Sequence, residues 1–116
     1  MIGSYKDFLK GGYSPTEFCG IIVQTPDFEG LLSDYTNFFK KLDQEVPGIV
    51  KIIGSDLFSL SVTRSSKSMG ADICYGSSQR FGVQMGFGGP YSGFFATKKS
   101  FIRKIPGRII GISKDV

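Results

Sequence analysis

Two short apolar runs bracket a helical stripe. Phe18 to Val23 (FCGIIV) and Ile49 to Ile53 (IVKII) are continuous and rich in β-branched residues, the pattern of strands covered on both faces. Between them Leu31, Leu32, Tyr35, Phe38, Phe39, Leu42 and Val46 recur at helical spacing. Asp34, Asn37, Lys40, Lys41, Asp43 and Gln44 fill the opposite side of that helix. Thr25-Pro26-Asp27 ends the first run, because proline lacks a backbone donor and disfavours helix at the residue before it. Pro47-Gly48 ends the helix. Strand, helix, strand at this spacing is a crossover unit, two parallel strands joined right-handedly over one face of a sheet.

The rest of the chain adds shorter pieces. Leu57 to Val62 reads as a short helix or an irregular crossing, and RSSKSMG (64–70) as a polar loop. ADICY (71–75) is a third strand, and Phe81–Met85 with Phe94–Thr97 is expected to form a hairpin around the glycines. Pro106-Gly107 interrupts Phe101 to Ile110, which fits no single period, and residues 1–17 are mixed and turn-rich. The order places the chain in the α/β class, with a mainly parallel sheet and flanking helices. Ligands of such sheets gather at the carboxyl ends of the strands. Thr25-Pro26, Asp56 and Ser77-Ser78-Gln79 are therefore expected on one rim.

Composition removes whole classes of chemistry. The chain has 116 residues, enough for one domain or a piece of one, and a chain of that size buries about 65% of its unfolded surface. It contains no histidine, so Ser-His-Asp and Cys-His nucleophile systems are absent. Two cysteines without histidine do not make a structural zinc site. Cys19 and Cys74 fall in expected strands and read as small buried apolar residues in a reducing compartment. No apolar run approaches the ~20 residues of a membrane span, and MIGSYKDFLKGGY carries no signal-peptide core. The net charge of +4 is moderate, and its basic residues are scattered until Lys98, which argues against a nucleic-acid partner.

Four stretches could carry function. Asp56, at the end of IVKII-Gly-Ser, is either a ligand-orienting carboxylate or the cap of the segment starting at Leu57. Gly76-Ser77-Ser78-Gln79-Arg80 fails the Gly-x-Ser-x-Gly elbow pattern and is either a phosphate-holding turn or an ordinary one. GFGGPYSG (86–93) lacks the Gly-Lys-Ser/Thr of a phosphate-binding P-loop, and its glycines permit positive φ or close backbone approach. Lys98, Lys99, Arg103, Lys104 and Arg108 form a basic cluster, either a solvated face or a surface for an anionic partner of a small free-standing binding module.

Several of these stretches together resemble one family. Gly76-Ser77-Ser78-Gln79-Arg80-Phe81-Gly82-Val83, Gly86-Phe87-Gly88-Gly89-Pro90, Phe94-Phe95-Ala96 and Pro106-Gly107-Arg108 follow the order found in glycine decarboxylases, the P-proteins of the glycine cleavage system. Val23-Gln24-Thr25-Pro26 and Ser55-Asp56-Leu57 fit upstream, so the resemblance runs over residues 17–116, with 1–16 poorly matched and the whole read as one partial domain. Gln84 stands in place of the family's proline, Tyr91 where many members have histidine, and RSSKSMG in place of a proline-rich loop.

The resemblance implies part of the large domain of an aminotransferase-like, fold type I pyridoxal-phosphate enzyme. It implies decarboxylation of glycine and transfer of the aminomethyl group to the lipoyl arm of the H-protein. It implies the amino-terminal half, with Gln79 where the catalytic half keeps its Schiff-base lysine, and Asp56 where that half binds the pyridine nitrogen. The chain alone is then inactive and holds no pyridoxal phosphate tightly; Gly88, Gly89 and Pro90, with Phe87, would line the pocket of the lysine-bearing half or the seam. Expected partners are that half and the lipoylated H-protein, with no membrane partner and with self-association of a truncated sheet. The expected location is the cytoplasm in a bacterium or the mitochondrial matrix in a eukaryote.

Overall fold

The computed structural model describes residues 11, 18–107, 110 and 111. The expectations for the turn-rich start, Gly11 aside, and for Arg108 fall outside them. Within the described residues β1 (Gly20–Thr25), β2 (Val50–Ser55), β3 (Ile73–Ser77) and β4 (Gly93–Thr97) form one sheet in the order β1-β2-β3-β4. β1, β2 and β3 are parallel, and β4 runs antiparallel to β3. The mainly parallel α/β reading holds, and the expected hairpin of Phe81–Met85 with Phe94–Thr97 does not. Residues 81–85 make no strand; β4 takes β3 as its partner instead, from Ile73↔Thr97 to Ser77↔Gly93. A single helical turn at Gln79–Phe81, ended by Gly82 at φ 111°, takes the start of that run out of extended backbone.

Helix α1 (Thr36–Glu45) is shorter than its apolar stripe. The Asp34 carboxylate accepts the Thr36 N–H at 2.8 Å, so the helix starts after it. Upstream, Asp27 Oδ1 accepts the N–H groups of Glu29 and Leu31, both at 2.9 Å, folding those residues into a turn. Leu31 and Leu32 consequently stand exposed rather than on the stripe. A second helix, α2 (Ser66–Met69), occupies the segment read as a polar loop. Ser65 caps it through the Ser68 N–H, and Gly70 at φ 100° stops it.

Both helices cover the same face. Tyr35, Phe39, Leu42 and Val46 from α1 and its end, with Met69 from α2, pack into one cluster with Val23 and Ile53. Phe39 and Ile53 are fully buried, and each such side chain contributes roughly 1.5–3 kcal/mol. Because β1, β2 and β3 are laid down in one direction, successive right-handed crossovers put their helices on one side. The expectation that FCGIIV is covered on both faces is corrected accordingly. β1 begins at Gly20, Ile22 is 62% exposed on the uncovered side, and Cys19 lies outside the strand and exposed. Cys74 is buried as expected. Lys51, in the middle of IVKII, is buried on the helix side, where its ammonium pairs with Asp43 of α1.

The β2–β3 seam is held at both ends. At the amino end, Asp72 Oδ2 accepts the Lys51 N–H at 2.8 Å, and the Asp72 N–H donates to Lys51 O at 2.8 Å. The same residue reaches β4 through Lys98, whose backbone N–H donates to Asp72 O at 3.0 Å and whose ammonium pairs with the carboxylate. At the carboxyl end a Cβ on Gly76 would lie 1.8 Å from Ser55 O. No side chain fits there.

Gly76→Ala is expected to force the two strands apart and to cost roughly 3 kcal/mol or more in a denaturant titration. Asp72 yields a pH dependence. Burial pushes its carboxyl up, but the Lys98 and Lys51 hydrogen bonds and both positive charges outweigh that and hold it below the usual carboxylate range. A depressed folded value means the contribution is complete above the unfolded value of about 4 and is lost as pH falls through the folded one. Unfolding free energy measured between about pH 5 and about pH 2 should therefore fall less steeply in Asp72→Asn than in the parent.

Candidate functional site

The expected rim exists. The Asp56 N–H donates to Thr25 O at 3.2 Å, tying the ends of β1 and β2 together just after their last paired residues, Thr25 and Ser55. Thr25 is 1% exposed and precedes a cis peptide to Pro26. Its Oγ1 is a buried hydroxyl without a hydrogen-bond partner among the described residues. Ser77, Ser78 and Gln79 follow at the end of β3.

Asp56 is engaged on both oxygens. Oδ1 accepts the Phe58 N–H at 3.0 Å, which caps the turn leading into the helical residues Ser59–Ser61. Oδ2 pairs with the guanidinium of Arg80 from the turn after β3. That guanidinium sits 4.9 Å from the centroid of the Phe58 ring, and Phe58 meets Phe81 at 5.7 Å between centroids. Charge, cation–π and ring contacts thus join the segment after β2 to the segment after β3. The cap reading of Asp56 is upheld, and Arg80 is the residue the sequence reading missed. Its signal was a basic residue one turn past a strand whose parallel neighbour ends in aspartate.

The serine turn is closed on itself. The hydroxyls of Ser77 and Ser78 both donate to Ser92 O, at 3.3 and 3.2 Å, and the Ser78 N–H donates to the same oxygen at 2.9 Å. Ser77 Oγ also accepts the Gln79 N–H at 3.1 Å. These donors hold the start of β4 against the end of β3, as an ordinary turn does. Of the basic cluster, Lys98 is paired with Asp72 and Lys104 lies over the Phe101 ring at 5.9 Å.

Gln79 opens onto a cavity of about 670 Å³ whose other lining residues are Gln84 to Tyr91. Its far wall is a tight turn. The Gly89 N–H donates to Gly86 O at 2.8 Å, with φ of 48° at Phe87 and 87° at Gly88. Two successive positive φ values are those of a type I′ turn. A Cβ on Gly89 would stand 3.0 Å from Gly86 O, so both glycines are set by backbone geometry. The rim therefore brings Asp56 and Arg80 together, and Gln79, next to Arg80, shares a cavity with the glycine loop.

Because Asp56 serves two partners, Asp56→Ala should cost about 1–2 kcal/mol in urea unfolding, and Arg80→Ala, at an exposed pair, less than about 1 kcal/mol. Asp56→Asn, which keeps an acceptor for the Phe58 N–H, should fall between them.

Comparison with known proteins then places the chain. The family model described as glycine cleavage system P-protein matches residues 4–116. The mitochondrial glycine dehydrogenase (decarboxylating) of Flaveria anomala is 46% identical over 110 residues, 95% of this chain and 10% of that protein. The glycine dehydrogenase (decarboxylating) of Dechloromonas aromatica is 48% identical over 99 residues, again 10% of its length. A crystal structure of glycine decarboxylase (P-protein) of the glycine cleavage system, in inhibitor-bound form, superposes with a TM-score of 0.72 at 40% identity. That match covers 84% of this chain and 22% of the other. The chain spans about a tenth of the length of the curated relatives it matches. By sequence and by fold, this chain belongs to the glycine cleavage system P-protein family.

Proposed function

We propose that this chain works as part of a glycine dehydrogenase (decarboxylating), in the half of the P-protein without the Schiff-base lysine. The whole enzyme uses pyridoxal phosphate to decarboxylate glycine and passes the aminomethyl group to the lipoyl arm of the H-protein. Relatives that carry the name are mitochondrial in Flaveria and bacterial in Dechloromonas, which fits a matrix or cytoplasmic setting.

The observation that carries this reading is the rim. A Schiff base needs an amine on the turn after β3, and that turn offers the amide of Gln79. The carboxylate that would face a pyridine nitrogen is held by the Arg80 guanidinium and the Phe58 N–H. Lys51 of β2 and Lys98 just after β4 are engaged in ion pairs, with Asp43 and Asp72. These residues do not fit a pyridoxal phosphate held by this chain, so its contribution is to shape. Gly88, Gly89 and Pro90 bring bare backbone to the wall of the cavity beside Gln79, where they border the reaction centre of the lysine-bearing half.

The test is a graft. The 116-residue sequence replaces the matching stretch in the amino-terminal subunit of a P-protein made as two chains. With the lysine-bearing subunit and H-protein, the graft should catalyse exchange of carbon dioxide with the glycine carboxyl. Gly88→Ala with Gly89→Ala should lower that exchange about tenfold or more, a loss of positioning. A folded graft whose exchange is unaltered by both alanines would remove the role given to the loop.

A further inference from the structure

β4 runs back along β3, so Thr97 lies beside Ile73, and Lys98 and Lys99 follow at the amino end of β3. β3 spans five residues, roughly 13 Å, which separates these lysines from Asp56 and Gln79 at the other end of the sheet. On the helix side of this end, register places Cys74 and Ala96 in the row of Ile53. Cys74 is buried and bonded to Ser66 of α2, while Ala96, one strand further out, is exposed. A cavity of about 430 Å³ opens there, with Lys67 of α2, Lys98 and Lys99 among its lining residues.

The charges around this cavity do not cancel. Three ammonium groups meet one carboxylate, Asp72, leaving two positive charges in excess. The carboxylate is 10% exposed and engaged on both oxygens: Oδ1 takes the Lys98 ammonium at 2.5 Å and Oδ2 the Lys51 N–H at 2.8 Å. Lys67 and Lys99 form no ion pair among the described residues. Ser66 also lines the cavity and is 5% exposed. Its hydroxyl donates to Cys74 Sγ at 3.1 Å, a weak acceptor that an anionic oxygen would replace.

We propose that this cavity is a binding site for a small phosphate monoester, held by Lys67, Lys99 and the Ser66 hydroxyl, with its organic part lying on Ala71 and Ala96. A phosphate monoester carries close to two negative charges at neutral pH, its second pKa being about 6, and so matches the excess; a carboxylate supplies one. Lysine holds phosphate as a point charge and requires no fork geometry. The volume falls within the roughly 300–1,000 Å³ of small-molecule sites and leaves room for an organic group beside the phosphate. The site lies away from Gln79 and does not rest on the reading given under Proposed function.

Phenyl phosphate is titrated by calorimetry, at fixed ionic strength, into the 116-residue chain and into the grafted amino-terminal subunit. It should bind with a Kd of about 0.1–1 mM, the scale of a ligand of its size, and more tightly than inorganic phosphate or benzoate. Lys67→Gln and Lys99→Gln should each weaken it about fivefold. Ala96→Leu, which fills the floor from an exposed strand position, should weaken phenyl phosphate more than inorganic phosphate. Lys104→Gln, which removes a charge of the same basic cluster outside the cavity, should change nothing. Lysine-dependent binding to the graft upholds the site whatever the isolated chain does. No saturable binding to the graft, with or without binding to the isolated chain, overturns it, because the remainder of the subunit then occupies the cavity or the site does not exist. Equal loss in Lys104→Gln and Lys99→Gln also overturns it, leaving diffuse charge attraction only, and benzoate binding as tightly as phenyl phosphate removes the phosphate.

Discussion

The seam between β2 and β3 carries the rest of the structure. At its amino end a single residue, Asp72, bonds to Lys51 through both backbone and side chain and reaches β4 through Lys98. At its carboxyl end Gly76 lets the two backbones close to a distance that no β-carbon permits. The first device sets the register of three strands, and the second sets how tightly the ends of two of them converge. Asp56 and the Ser77–Gln79 turn follow immediately, so the rim inherits its geometry from this seam.

Much of this was legible in the residues. A 3.6-residue stripe between two β-branched runs is a local signal, and it located α1 and the strands around it. The errors have physical causes. Leu31 and Leu32 continue the stripe but lose the helix to Asp27 and Asp34, whose carboxylates capture amide groups before the helix can. Phe81 to Met85 has the composition of a strand, but a helical turn and positive-φ glycines take the chain elsewhere. Apolar runs do not report which face is covered, and coverage of β1 is decided by the direction in which the sheet is wound. Arg80 escaped as a partner because its signal lies in the pairing of parallel strands and not in local spacing, the two charges being 24 positions apart.

The rim shows how one neighbour changes what a carboxylate can do. Asp56 stands at the end of a parallel strand, where such sheets present groups to ligands. Arg80 supplies its countercharge from inside the chain, and the Phe58 amide takes the other oxygen. What would be a recognition group becomes a joint between two loops. Gln79, next to Arg80 in the turn after β3, lines the cavity bordered by the glycine loop.

In this sheet the spatial order of the strands copies their order along the chain. Among these four strands, each one after β1 finds its partner already made when it leaves the ribosome. Pairing of that kind closes short loops first, which lowers the entropy to be overcome at each step. Growth by addition at one edge lets a translated intermediate hide its newest strand at once, leaving little unpaired backbone open to neighbours at any moment of synthesis.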